Sequence, residues 1–150
     1  MKLKFAVGML AVFFLAFAGN ESKAQSNPPP PPNPVLYFIG QELYTANSAS
    51  YIRYRYGVFN SSAYPNAMFA PAPSLPPCGA NANASRTWVD LFDQRGKRLN
   101  GFCALGTGDH LNSIWFALPE GEVPPSWIYV ELTDRQTATK YKSNLADTTN

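Results

Sequence analysis

From Val35 onward, apolar side chains gather in short runs, several with the period of two that marks a strand with one buried face. The runs are VLYFI (35–39), SYIRYRYGVF (50–59), TWVDLFD (87–93), KRLNGFCAL (97–105), SIWFAL (113–118), WIYVELTD (127–134) and ATKYKSNLA (138–146). Past the first 24 residues, no window of eleven or more carries a 3.6-residue apolar stripe, so no helix is predicted. QRG (94–96) and RQT (135–137) separate two pairs of neighbouring runs and predict hairpins, with Gly96 free to take a positive φ. Seven short strands divided by turn residues predict an all-β chain. The expected fold is a small antiparallel β-sandwich of immunoglobulin- or fibronectin-like architecture.

The second and third runs are separated by a long Pro-rich loop, 60–86, with Pro65, Pro71, Pro73, Pro76 and Pro77. Prolines at that density cannot donate to a sheet ladder. Two strands ahead of the loop are too few to stand alone, so residues 35–145 are expected as one domain, with a flexible tail at 146–150. The stretch PPSWIYVELTDRQTATKYKSN (124–144) resembles the closing hairpin of such sandwiches, with Tyr129 in the penultimate strand. The Cys…Trp…Cys spacing of true immunoglobulin domains is missing.

The alternation also assigns faces. In SYIRYRYGVF, Ile52, Tyr54, Tyr56 and Val58 share the expected core face, and Tyr51, Arg53, Arg55 and Phe59 share the other. Val89 and Leu91 oppose Trp88, Asp90 and Phe92. Ile114, Phe116 and Leu118 oppose Trp115. Ile128, Val130 and Leu132 oppose Trp127, Tyr129 and Glu131. Every tryptophan therefore stands on the side away from the aliphatic set. Exposed flat rings stack on sugars or anchor protein interfaces, unless long side chains cover them. The candidate ligand-binding residues are Tyr51, Arg53, Arg55, Trp88, Trp127 and Tyr129.

The N-terminus changes the picture of where the chain works. Lys2 and Lys4 precede fourteen apolar residues, Phe5 to Ala18, and Ser22 and Ala24 place small side chains at −3 and −1 of a cut before Gln25. Residues 1–24 thus predict a cleaved signal peptide and a secreted or periplasmic product. Fourteen residues rise about 21 Å as a helix, short of a hydrocarbon core of about 30 Å, so no membrane span is expected in the mature chain. Residues 25–34, with Pro28 to Pro32 in a row, predict an extended polyproline II spacer. The leader carries Lys2, Lys4, Lys23 and Glu21 of the 12 basic and 10 acidic residues. Without it, nine of each sign remain. A neutral mature chain lacks the broad positive field that nucleic-acid binding uses, so no nucleic-acid partner is expected.

An even cysteine count in an oxidising compartment predicts a Cys78–Cys103 disulfide, pinning the Pro-rich loop to the second strand of the QRG hairpin, with Cys103 opposite Thr87. The single His110, in GTGDHLN, has no nucleophile motif to serve and is expected in a turn. The carboxylates are scattered, and no dense Asp/Asn/Gly calcium loop or phosphate-binding glycine loop is present. No catalytic residue, metal or cofactor is expected. The sequons at Asn60 and Asn83 bear on glycosylation only in a eukaryotic secretory pathway. The expected function is an exported, non-catalytic binding module with a surface glycan or a protein as partner. A structural accessory or oligomerisation domain is the alternative, and a protease inhibitor or small hydrolase the third.

Overall fold

The computed structural model describes residues 29–78 and 85–149. The expected cut between Ala24 and Gln25, the start of the spacer and Asn83 lie outside the described residues. Eight strands are present among these: β1 (Leu36–Ala46), β2 (Ala49–Val58), β3 (Thr87–Asp93), β4 (Arg98–Ala104), β5 (Ile114–Pro119), β6 (Trp127–Asp134), β7 (Thr139–Lys142) and β8 (Ala146–Asp147). They form two antiparallel sheets, one ordered β1-β2-β5 and the other β4-β3-β6-β7 with β8 also on β6. No described helix is long and apolar enough to cross a membrane.

One core fills the space between the sheets. Tyr54, Tyr56 and Val58 of β2 and Ile114 and Phe116 of β5 meet Val89 and Leu91 of β3 and Ile128, Val130 and Leu132 of β6. Tyr54 stacks on Phe116 with ring centroids 5.0 Å apart. Each of the aliphatic and phenylalanine side chains among them contributes about 1.5–3 kcal/mol by leaving water, which is why the inward sets are specified so firmly. Burial pushes the Tyr56 and Tyr64 phenols well above the usual tyrosine range.

The first hairpin is longer than its apolar runs predict. β1 continues through Gly40, where a bulge between Phe38 and Gly40 shifts the pairing with β2, and ends at Ala46. Asn47 and Ser48 then make a two-residue turn with φ of 50° and 63°. Two successive left-handed residues match the twist of the strands; Asn tolerates that region and Ser is unusual there.

The second hairpin departs from its expected register by one residue. β3 and β4 pair as Phe92 with Arg98 near the turn, but as Leu91 with Asn100 beyond it, so a bulge accommodates Leu99. Cys103 consequently faces Trp88, while Ala104 takes the place opposite Thr87. The disulfide forms as expected, with Cα atoms 5.9 Å apart, but it lies on the outer side of its sheet. Arg135 donates from Nη1 to Cys78 Sγ at 2.8 Å and to the Ser85 carbonyl, and from Nη2 to the Pro76 carbonyl.

Three connecting segments are held by packing and hydrogen bonds. In the Pro-rich loop, short 3-10 turns at Ser61–Ala63 and Asn66–Phe69 place Tyr64, Met68 and Phe69 in the core. The end of the spacer is docked: Tyr64 donates to the Pro32 carbonyl, Asn60 Nδ2 to the Asn33 carbonyl, and Pro34 is buried. The tail is not frayed up to Thr149. Ala146 pairs with Ile128, Asp147 with Trp127, and the buried Thr148 hydroxyl donates to the Pro125 carbonyl. A few buried partners outweigh a polar composition there.

Candidate ligand-binding face

The six candidate residues do not form one site. Cross-strand partners share a face, so Tyr51, Arg53 and Arg55 lie outward on the β1-β2-β5 sheet, and Trp88, Trp127 and Tyr129 lie outward on the other. The two outer faces look away from the common core, in opposite directions.

On the β1-β2-β5 sheet the register sets Glu42 opposite Arg53, Tyr44 opposite Tyr51, and Trp115 opposite Arg55. The Arg53 guanidinium carbon lies 3.9 Å from the Tyr44 ring centre and 4.8 Å from that of Trp115, a cation held between two aromatic side chains. Its Nη1 donates to Glu42 Oε1 at 3.2 Å, and Arg53 Nε, though buried, has no hydrogen-bond partner among the described residues. Arg53 is thereby immobilised, with a side chain only 26% exposed. Arg55 is in the opposite condition. Its side chain is 48% exposed, and its nearest ionic partner is Glu42 Oε2 at 3.8 Å. Glu42, Arg53, Arg55, Ser113, Ile114 and Trp115 line an open hollow of about 400 Å³. Trp115 is itself 38% exposed.

The β4-β3-β6-β7 sheet carries aromatic side chains of a different character. Phe92 and Tyr129 are direct partners with stacked rings 5.2 Å apart, and Lys142 Nζ lies 4.0 Å from the Tyr129 ring centre. Arg98 spans from Asp90, at 2.5 Å, to the Trp88 ring, 5.5 Å from its centre. Gly101 allows this, since a Cβ there would collide with the Arg98 side chain. Lys140 pairs with Glu131 at 2.7 Å, which raises the Lys140 pKa. Trp88 and Tyr129 are thus covered by cations, and only Trp127, 44% exposed at the start of β6, stands open.

Trp115, Tyr44 and Glu42 belong to the first face yet were not among the candidates. Trp115 was legible as an outward tryptophan. Tyr44 and Glu42 carried a weaker signal: in QELYT they alternate with Gln41, Leu43 and Thr45, but Gly40 ends the apolar run ahead of them.

His110, Arg86, Asp134 and Asn60 are engaged within the fold. His110 Nδ1 accepts from the Leu105 amide at 2.9 Å and its ring lies 5.6 Å from Phe102, an arrangement that fixes a turn. Arg86 forms a two-pronged pair with Asp134, 2.8 and 2.6 Å, and Asp134 also accepts from the Gln136 amide and the Thr137 hydroxyl. The Arg86 hydrogen bonds, aided by Thr137 and Gln136, hold the Asp134 carboxyl below its usual range. Asn60 of the first sequon spends its amide on the Val35 amide and the Asn33 carbonyl. Among the described residues no three His, Cys, Asp or Glu side chains cluster as a metal site would need.

Fold and faces together define an all-β protein of two antiparallel sheets pinned by one disulfide. Comparison with known proteins adds no relative: no family model, no curated protein and no solved structure matches the chain.

Proposed function

We propose that the chain is an exported, non-catalytic binding module that meets its ligand on the outer face of the β1-β2-β5 sheet. The observation that carries this reading is the pairing of a fixed cation with a free one: Arg53 clamped between Tyr44 and Trp115, and Arg55 half-exposed beside the same hollow. A fixed aromatic wall and a donor that has not spent its hydrogen bonds are what a preorganised site requires. The architecture supports such a role. Three strands face five, and the chain passes between the sheets after β2, β4 and β5, an order similar to that of Greek-key sandwiches of the fibronectin kind, which serve widely as cell-surface modules.

The labelled processed chain, applied to an array of glycans and surface proteins, tests the reading. Binding that falls at least tenfold in Trp115→Ala and persists in Trp127→Ala is expected. Binding that survives in Trp115→Ala but disappears in Trp127→Ala would move the site to the other sheet.

One observation favours the accessory-domain reading. β1 is an edge strand, and Tyr37, Ile39 and Leu43 are exposed along it, Leu43 at 64%. Such an edge invites a further strand. Sedimentation of the wild type and of Leu43→Lys at rising concentration distinguishes the two: an accessory domain self-associates, and the variant does not.

A further inference from the structure

The hollow beside Arg55 has a chemistry that narrows its occupant. Along this face the charged side chains near the hollow are Glu42, Arg53 and Arg55, two guanidinium groups against one carboxylate. Glu42 is shared unequally: it hydrogen-bonds Arg53 at 3.2 Å and reaches Arg55 only at 3.8 Å, beyond hydrogen-bond range. Arg55 therefore retains its planar donor edge, the group best matched to a carboxylate by paired N–H bonds. Its cross-strand partner is Trp115, whose exposed ring forms the adjoining wall, and Ser113 adds a hydroxyl at the rim. A ligand that fits presents an anionic group with paired oxygens, such as a carboxylate, and beside it a flat apolar surface with hydroxyls at its edge.

We infer that this face binds a carboxylated saccharide, its carboxylate on Arg55 and a sugar ring stacked on Trp115. The hollow, about 400 Å³, lies within the range of small-ligand sites, about 300–1,000 Å³. The clamp on Arg53 keeps Trp115 and Glu42 in place, so the Glu42 hydrogen bond goes to Arg53, and Arg55, paired with the same carboxylate only at 3.8 Å, keeps its N–H donors. A neutral sugar would stack on the ring but leave the Arg55 donors unused. An acidic peptide would satisfy Arg55 without supplying the stacking face.

This inference rests on the binding reading above, and the experiment separates their failures. The processed chain is titrated calorimetrically with hexuronate and sialylated oligosaccharides, with the same oligosaccharides after reduction of the carboxyl to an alcohol, and with oligoglutamate. Saturable binding of an acidic oligosaccharide is expected, weakened about tenfold or more by carboxyl reduction and by Arg55→Ala, which removes charge-assisted hydrogen bonds. Raising the salt from 50 to 500 mM should weaken it further. Arg55→Lys should recover only part of the loss, because an ammonium lacks the fork. Equal binding of acidic and reduced sugars, with Arg55→Ala unaffected and Trp115→Ala defective, overturns the carboxylate and keeps the face. Oligoglutamate binding as tightly as the sugars overturns the saccharide. Sugar binding that neither Arg55→Ala nor Trp115→Ala alters overturns both the inference and the site. No binding by any acidic oligosaccharide overturns the inference, and the array result then decides the function alone.

Discussion

The two outer faces are built from the same materials and reach different states. Both carry aromatic side chains on alternate positions, and both carry cations among them. On the β4-β3-β6-β7 face each cation has settled: Arg98 on Asp90 and Trp88, Lys140 on Glu131, Lys142 on Tyr129. On the β1-β2-β5 face Arg53 has settled and Arg55 has not. Trp88 and Trp115 each carry an arginine over the ring, at 5.5 and 4.8 Å, but Trp115 stays 38% exposed and has the half-exposed Arg55 as its cross-strand partner. A face with one cation anchoring the rings and another beside them unspent offers both a wall and a donor. Counting outward tryptophans does not distinguish these cases; the partners of the neighbouring cations do.

The largest expected effect concerns the bridge that secures the β4 side of the covered face. Replacing both cysteines, Cys78→Ala with Cys103→Ala, opens a loop whose ends are 25 residues apart. It should cost about 3.5 kcal/mol in the chain-entropy treatment, read by urea denaturation. An equal stability in the double variant would show that the noncovalent contacts of that side suffice without the staple.

Next comes the Arg86–Asp134 pair at the Thr87 end of the same sheet. Asp134→Asn should cost about 2–3 kcal/mol at neutral pH, since Asp134 is buried and its partner would lose a charged acceptor. The native Asp134 pKa is lowered, so the unfolded chain binds this proton more readily. The difference between wild type and variant should therefore be complete above about pH 4, near the unfolded carboxyl value, and shrink as the pH falls through the native one. A difference that is constant from pH 7 to pH 2 would contradict the assignment.

The two arginines of β2 give the sharpest contrast. Arg53→Ala removes two aromatic contacts and an ion pair and should cost about 1–2 kcal/mol. Arg55→Ala should change stability by less than about 0.5 kcal/mol, as exposed substitutions do, while abolishing most binding. If Arg55→Ala destabilises the fold as much as Arg53→Ala, the difference between anchored and free cation fails.

The smallest effect belongs to Gly101→Ala. Its new methyl group would push the Arg98 side chain aside, at a cost of under about 1 kcal/mol because a flexible terminus can yield. Trp88 should then become more accessible to acrylamide quenching, in a background where Trp115 and Trp127 are phenylalanine. Unchanged quenching would mean that Arg98 does not cover the ring.

Much of this arrangement is legible along the chain. The period-two pattern alone assigns Tyr54, Tyr56 and Val58 inward and Arg53 and Arg55 outward, and the outcome agrees. It does so because a strand buried on one face cannot slip by one residue without exposing its whole apolar set. The cysteine pair was legible too, since two cysteines admit one intrachain bridge. Less visible were Tyr64, Met68 and Phe69, whose segment has no period because prolines set its backbone. The partners of Trp115 were hidden behind the bulge at Gly40, and the face of Cys103 behind the bulge at Leu99.

The amino-acid order by itself determined which positions of β2, β3, β5 and β6 go inward, where two of the hairpins turn, and that two sulfurs would meet. The first two are local, set by side-chain period and by turn residues; the third follows because only two cysteines are present. Only the tertiary structure decided which sheet each strand joined, and so which aromatic side chains and cations became neighbours. Strand pairing is a long-range choice, and two single-residue bulges re-aimed the parts of β1 and β4 that follow them. Trp115 therefore stands with Arg53 and Arg55, while Trp88 and Tyr129 face the other way under their own cations.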